Sequence, residues 1–351
     1  MNPTRRRGPA EETPPSPDSQ SSRRAVSGHV PAAALAGALD AAICAPSLHN
    51  SQPWHFVVGD GVIQVRLEPR RALPVADPEG NAARIACGAA VYNIRLAMAT
   101  QLGYDPVVRL APVRGDCPML VATVTPGAQR PPTPHERGQY AVIGRRHSNR
   151  YPFHDSEPVG PAQRAALTDA ARDQRCWLHI VTDPAQATRL TELINEASRA
   201  LDDDIDYQRE LQQWIQPPPD AHSGITPSAA GTKPEPGDRL RTRDYGGRPR
   251  RPGRDFEPSP LLAILGGTDD TPVDHVAVGQ ALQAVLLTAT RHGLAVSLFS
   301  QPFEVDAVRR QVRALTGRLG SPYLVLRIGY PLRPSPSTPR LPVAEVSDVA
   351  D

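Results

Sequence analysis

Three segments of this chain carry polar groups at spacings that could hold a ligand. The first reads Gly144-Arg145-Arg146-His147-Ser148-Asn149-Arg150-Tyr151-Pro152-Phe153. Side chains alternate along an extended segment, so Arg146, Ser148 and Arg150 share one side. Two guanidinium groups and a hydroxyl together suit a phosphate monoester, which guanidinium recognises through charge-assisted bonds. Composition alone equally permits a solvated basic turn. The second segment is Ala45-Pro46-Ser47-Leu48-His49-Asn50-Ser51-Gln52-Pro53-Trp54. Its prolines fix the backbone and pre-organise hydroxyl and amide groups for a flat polar ligand. A rigid connector with self-satisfied Ser and Asn caps is the alternative. The third, Ser337-Thr338-Pro339-Arg340-Leu341-Pro342, sets Arg340 between prolines and by itself says little.

Several other chemistries lack their residues. The chain has no Walker-type phosphate loop, no GxGxxG after a strand, no HExxH and no GxSxG. Its ten histidines do not cluster at ligand spacing. His49 and His55 stand six apart across Pro53, which is no metal spacing, and read as ordinary turn and strand histidines. Cys44, Cys87, Cys117 and Cys176 form no CxxC pair, as expected of reduced thiols in a cytosolic protein. The net charge of +2, from 39 basic and 37 acidic residues, gives no case for nucleic acid or an acidic membrane surface. No apolar run approaches the ~18 residues of a membrane helix. The first 30 residues contain no apolar signal-type segment.

The elements that must position these segments follow from pattern. Residues 1–28 combine Pro, Ser, Arg and Glu with almost nothing apolar and are expected to form a disordered tail. A helix over 31–45 leads into WHFVVGDGVIQVRLEP, two β-rich runs around Asp60-Gly61, the dipeptide of a type I′ hairpin. Helix is predicted over 82–102, ending at Gly103, then strands PVVRLAPV and PMLVATVT, then helix over 133–145. A second stretch repeats the plan, with helices over 161–172 and 184–216 flanking the strand CWLHIVTD. Residues 217–260 hold ten of the 40 prolines, the composition of a functional lid or of a linker. Helix 273–292, strand 294–300, helix 304–316 and the strand SPYLVLRIGY follow, before an extended tail. CGAAVYNIRLAMATQLGYDPVV from Cys87 and VGQALQAVLLTATRHGLAVSLF from Val278 share one pattern, which points to a duplicated unit.

Taken together, the three polar segments resemble a known family. PSLHNSQPWHFVV resembles the PSxxNSQPWxF flavin loop of nitroreductase-like FMN enzymes, RRHSNRYPF their opening RxSxR motif, and STPRLPV their C-terminal basic-Leu-Pro phosphate contact. In single-repeat members RxSxR precedes PSxxN. Here PSLHN lies in the first repeat and RHSNR opens the second, an order similar to the tandem, Acg-type nitroreductase-like chains. The resemblance covers about 30–345. It implies an α+β nitroreductase-like fold in which two fused repeats, 29–139 and 140–345, form a pseudo-dimer needing no partner subunit, with 217–260 as a lid insertion; a higher oligomer stays open. It implies one FMN site built from Pro46, Ser47, Leu48 and Asn50 of the first half and Arg146, Ser148, Arg150 and Arg340 of the second. By family spacing Ser300 and Gln301 stand where Glu-Gly commonly places a backbone N–H near the flavin, so the acidic side chain is missing. Arg150 stands for a family lysine, and Thr338 for another, where the charge is lost. FMN supplies the chemistry in this family, so no catalytic side chain is named. The expected activity is a cytoplasmic NAD(P)H-dependent oxidoreductase with FMN and a small nitroaromatic or quinone-like acceptor. A protein that stores FMN under its lid is the alternative.

Overall fold

The computed structural model describes Met1 and residues 30–110, 119–218, 220–235, 237–250, 256–317 and 320–349. The expected tail, apart from Met1, and Cys117 lie outside the described residues.

The first half opens with α1 (Ala32–Ala36) and α2 (Leu39–Ala42), two short helices where one is predicted over 31–45. The hairpin of β1 (Trp54–Gly59) and β2 (Val62–Leu67) follows. Its turn residues Asp60 and Gly61 have φ of 51° and 72°, the left-handed pair that a type I′ turn needs. α3 (Asn81–Ala97) runs on as one π-helical stretch to Gly103, whose φ of 71° stops it. β3 (Tyr104–Leu110), β4 (Leu120–Gln129) and α4 (Pro134–Tyr140) complete the half. The second half contains α5 (Pro161–Arg172), β5 (Trp177–Ile180), α6 (Pro184–Asp203), α7 (Ile205–Gln212), β6 (Leu261–Gly267), α8 (Pro272–Arg291), β7 (Ala295–Phe299), α9 (Gln301–Glu304), α10 (Asp306–Thr316), β8 (Ser321–Gly329) and β9 (Ser347–Val349).

Each half owns a sheet, ordered β3-β4-β2-β1-β9 and β5-β6-β8-β7. β9 comes from the end of the second half yet pairs in parallel with β1 of the first. The arm that carries Arg340 therefore crosses between halves.

Between the sheets α3 packs directly on α8, and one apolar core runs through both halves. The helices touch backbone to backbone. A Cβ on Gly88 would lie 2.2 Å from the Val276 carbonyl oxygen, and one on Gly279 would lie 2.0 Å from that of Ile85. Only glycine permits that approach. These are the matching glycines of the internal similarity, so the duplication meets itself at its own equivalent positions. Gln283 donates to Asn93 Oδ1 at 2.8 Å across the same crossing.

Three expectations need correction. The helix predicted over 184–216 breaks at Asp204, whose extended backbone (φ −83°, ψ 108°) lets its carboxylate accept the N–H groups of Asp206 and Tyr207. The helix predicted over 304–316 is likewise interrupted at Val305, with φ −120° and ψ 106°. β6 has no counterpart in the sequence reading. Nearly all of LLAILGG is buried, so it shows none of the alternation that marks a half-exposed strand.

Candidate cofactor and substrate site

The loop after α2 sets the site. Ser47 is extended, and its Oγ accepts the Gln52 N–H at 2.9 Å. Three non-glycine residues then sit in the left-handed region, His49 at φ 52°, Asn50 at 57° and Gln52 at 54°. Such conformations persist only where the surroundings enforce them. Here Asn50 and Gln52 are the anchors. The Asn50 amide donates to the carbonyls of Gly224 and Pro339 at 3.0 and 2.9 Å, and its Oδ1 accepts from Arg340 at 2.9 Å. Gln52 donates to the His222 carbonyl at 2.8 Å and accepts the Leu341 N–H at 3.0 Å. Two side chains thus tie the loop to the 217–260 segment and to the C-terminal arm. Asn50 lines the site, but its amide is committed to protein partners.

Around this junction lies a small pocket lined by Pro46, Ser47, Asn50, Arg146, His147, Ser148, Arg150, Thr338 and Arg340. It brings together residues that are almost 300 positions apart in the chain. Arg146 is 3% exposed and donates to the Cys44 carbonyl at 3.0 Å. Arg150 donates to the Ala229 carbonyl at 2.9 Å and stacks 4.8 Å from the Tyr245 ring centroid. Arg340 is oriented by Thr338, whose Oγ1 accepts from it at 2.6 Å. Among the described residues no carboxylate pairs with any of the three. The Nε atoms of Arg146 and Arg340 are buried without a hydrogen-bond partner. Burial, then the neighbouring Arg340, pushes Arg146 down to about 9. Burial also lowers Arg150 and Arg340. His147 is held down at about 4 by burial and by Arg146 and Arg340. One buried and two half-buried cations without an anion are costly, and a bound dianion would relieve that cost.

The pocket adjoins a cavity of about 260 Å³ that shares Pro46, Ser47, Ser148 and Arg150 with it and adds Leu48, His49, Ser300 and Gln301. All ten residues expected from the sequence therefore border one or both spaces. Ser148 reaches them through a parallel bridge to Val296, where the Asn149 N–H donates to the Val296 carbonyl at 2.8 Å. Ser300 connects β7 to α9, of which Gln301 is the first residue.

The sequence reading missed much of this cavity's wall. Thr232, Thr242, Arg243 and Tyr245 of the 217–260 segment line it, as do Asp77 and Tyr323. Arg243 donates to Glu304 at 2.7 Å in a fully buried pair, and Tyr207 donates to the same carboxylate at 2.7 Å. Burial opposes the charge on Arg243, but Glu304, with Tyr207 and Tyr245, outweighs it and raises the guanidinium well above its ordinary value. Asp77 is pushed up to about 6 by burial, against the N–H groups of Ala82 and Ala83 at 3.0 and 2.9 Å. His49 is not the ordinary turn histidine that its spacing suggests: it is buried at the cavity wall, edge-on to Tyr207 and Tyr245. Arg243 and Tyr245, two positions apart, were the available signal for one shared face.

Among the described residues no helix is long and apolar enough to cross a membrane, and no group of three or more His, Cys, Asp or Glu could hold a metal ion.

Known proteins place the chain in context. No family model matches it. It is 32% identical over 319 residues to "Uncharacterized protein Rv3127" of Mycobacterium tuberculosis, covering 87% of this chain and 90% of the relative. It is 30% identical over 322 residues to "Putative NAD(P)H nitroreductase Rv3131" of the same organism, covering 88% and 89%. A third relative from that organism, "Putative NAD(P)H nitroreductase acg", is 29% identical over 326 residues, covering 90% and 95%. Among solved structures, a nitroreductase with bound FMN from Desulfitobacterium hafniense aligns at a TM-score of 0.39 and 16% identity, covering 61% of this chain and 98% of that one.

Proposed function

Because the chain belongs to the Acg-type, nitroreductase-like family of oxidoreductases, we propose that it binds FMN and passes electrons from NAD(P)H to a nitroaromatic or quinone-like acceptor. The observation that carries this reading is the trio of buried Arg146 and half-buried Arg150 and Arg340 beside Ser148, with no carboxylate partner among the described residues and with two orphaned Nε atoms. Their chemistry fits the phosphate of FMN, a group near −2 at neutral pH. Pro46, Ser47 and Leu48 would border the ring, and the backbone of Ser300 and Gln301 its edge. Asn50 would act by holding the loop, since its amide is already bonded.

FMN, when bound, takes up the electrons of a reduced nicotinamide and returns them to an oxidised acceptor. The chain's part is to bind, orient and exclude water. Arg243 and Tyr245 of the 217–260 segment wall the cavity, and Arg150 joins that wall to the phosphate pocket by its bond to Ala229. These contacts support reading the segment as a lid over the cavity.

The same contacts favour a second reading, storage of FMN beneath a closed lid. The segment is held at His222, Gly224 and Ala229 and by the Arg243–Glu304 pair. Anaerobic addition of NAD(P)H to the purified protein separates the two. Loss of flavin absorbance, regained on adding a nitroaromatic or quinone, is the expected result. Persistent absorbance would favour storage, and a colourless protein would reject both.

A further inference from the structure

Buried polar atoms are nearly always partnered, so the exceptions point to missing ligands. Two orphans, the Nε atoms of Arg146 and Arg340, belong to residues of the phosphate pocket and are explained there. His49 is another matter. It is 2% exposed, and both of its ring nitrogens lack a hydrogen-bond partner. It lines the larger cavity and is absent from the lining of the small one. Thr232, on the 217–260 segment, lines the same cavity and carries an equally unpartnered Oγ1.

The ring is held firmly. Tyr207 and Tyr245 meet it edge-on with centroids 6.5 and 6.0 Å away. Its backbone lies between Leu48 and Asn50 of the anchored loop. Burial, then the Arg243 and Arg150 charges, keeps it well below the ordinary histidine range, so the imidazole is neutral with one donor and one acceptor. A neutral donor at a cavity wall suits an oxygen on which negative charge develops as a molecule is reduced.

We propose that His49 binds the electron acceptor, its imidazole hydrogen-bonding an oxygen of a nitro group or quinone carbonyl in the larger cavity. This rests on the oxidoreductase reading for the identity of the ligand, and it assigns specificity to a residue of this chain's own cavity wall.

The test is calorimetric titration of the FMN-loaded protein with 4-nitrobenzyl alcohol and with benzyl alcohol, which lacks the nitro oxygens. The wild-type protein prefers the nitro compound. His49→Phe keeps an aromatic ring without its nitrogens and loses about 10-fold of that preference, the size of one hydrogen bond. Its affinities for benzyl alcohol and FMN stay within twofold. His49→Asn tolerates the left-handed backbone, keeps a donor and retains most of the preference. The ratio of the two alcohols is unmoved by a general loosening of the loop, so a damaged fold does not imitate the result. Equal preference in wild type and His49→Phe, or no preference in wild type, overturns the proposal. So does a fall in FMN affinity with preference unchanged, which would assign His49 to the cofactor. The titration needs no turnover. Nitro discrimination at His49 without bleaching by NAD(P)H would remove the oxidoreductase reading and leave the contact standing.

Discussion

In the small pocket Arg146 lies buried beside the half-buried Arg150 and Arg340, with no carboxylate among the described residues to pair them; across the larger cavity the Arg243 side chain is buried to a similar degree as Arg146, but against Glu304 and Tyr207. The same side chain under similar burial is driven in opposite directions. Arg146 falls to about 9, while Arg243 rises well above its ordinary value. Burial penalises a cation everywhere, so the direction is set by whether the fold supplies the counter-charge. At Arg243 it does, and the charge is spent on joining the 217–260 segment to α9. At Arg146 it does not, and on the proposed reading a ligand supplies it.

The largest effect should come from breaking the internal pair. Glu304→Ala leaves Arg243 buried and unpaired, at a cost of about 3–5 kcal/mol. Urea unfolding of the FMN-free protein measures it. Replacing both partners, Arg243→Met with Glu304→Leu, should recover most of the loss, because the charge is removed along with its partner. Arg146→Met in the same FMN-free protein should stay within about 1 kcal/mol of wild type or stabilise it, since it removes an uncompensated charge together with that charge's hydrogen bond to the Cys44 carbonyl. A loss at Arg146 as large as that at Glu304 would break the contrast.

Next in size is the effect on the ligand. Arg146→Ala and Arg340→Ala should each weaken FMN binding about 10- to 100-fold, the worth of one charge-assisted bond. Riboflavin has the same ring and no phosphate, and its weaker binding should barely respond. Equal losses for both ligands would mean that these arginines hold the fold and not the phosphate. No loss for either would reject the placement of the site.

The two kinds of arginine differed in how well the sequence revealed them. Arg146, Ser148 and Arg150 alternate over five residues, and Arg340 sits between prolines, so local pattern was enough to single them out. The Asp60-Gly61 turn and the Gly103 stop were legible for the same reason: each needs a left-handed residue at one place. Arg243 and Glu304 lie 61 positions apart, in a proline-rich segment and a four-residue helix, and neither has a pattern that names the other. His49 sat inside the recognised loop, yet only its burial and its unpartnered nitrogens distinguish it from a turn histidine. The breaks at Asp204 and Val305 were hidden because apolar periodicity continues across them, while the Asp204 carboxylate caps a new helix and Tyr207 reaches Glu304 from it. What tertiary pairing decides, local spacing does not announce.

The smallest effect sharpens the contrast through pH. His147 sits in the cationic pocket, where burial and then Arg146 and Arg340 lower it from 6.5 to about 4. The unfolded chain therefore binds a proton at this residue between pH 6.5 and 4 that the folded chain refuses. Stability from this source is complete above 6.5 and is lost as the pH falls toward 4. The ring is only half-buried, so the full shift is screened and about 1 kcal/mol is expected. Asp77, raised to about 6, titrates over part of the same range with the opposite sign, so the wild-type curve alone does not isolate the histidine. The measurement is the urea midpoint of FMN-free wild type and His147→Gln between pH 4.5 and 7. The variant should lose less stability on acidification, and the difference between the curves is the contribution of His147. If the pocket is cationic because it lacks an anion, Arg146→Met should shrink that difference, and loading wild type with FMN should shrink it too. Glu304→Gln should leave it alone, because Arg243 is not among the charges acting on His147. A difference that ignores Arg146→Met and FMN alike would trace the His147 shift to burial by itself and take the missing anion out of the account.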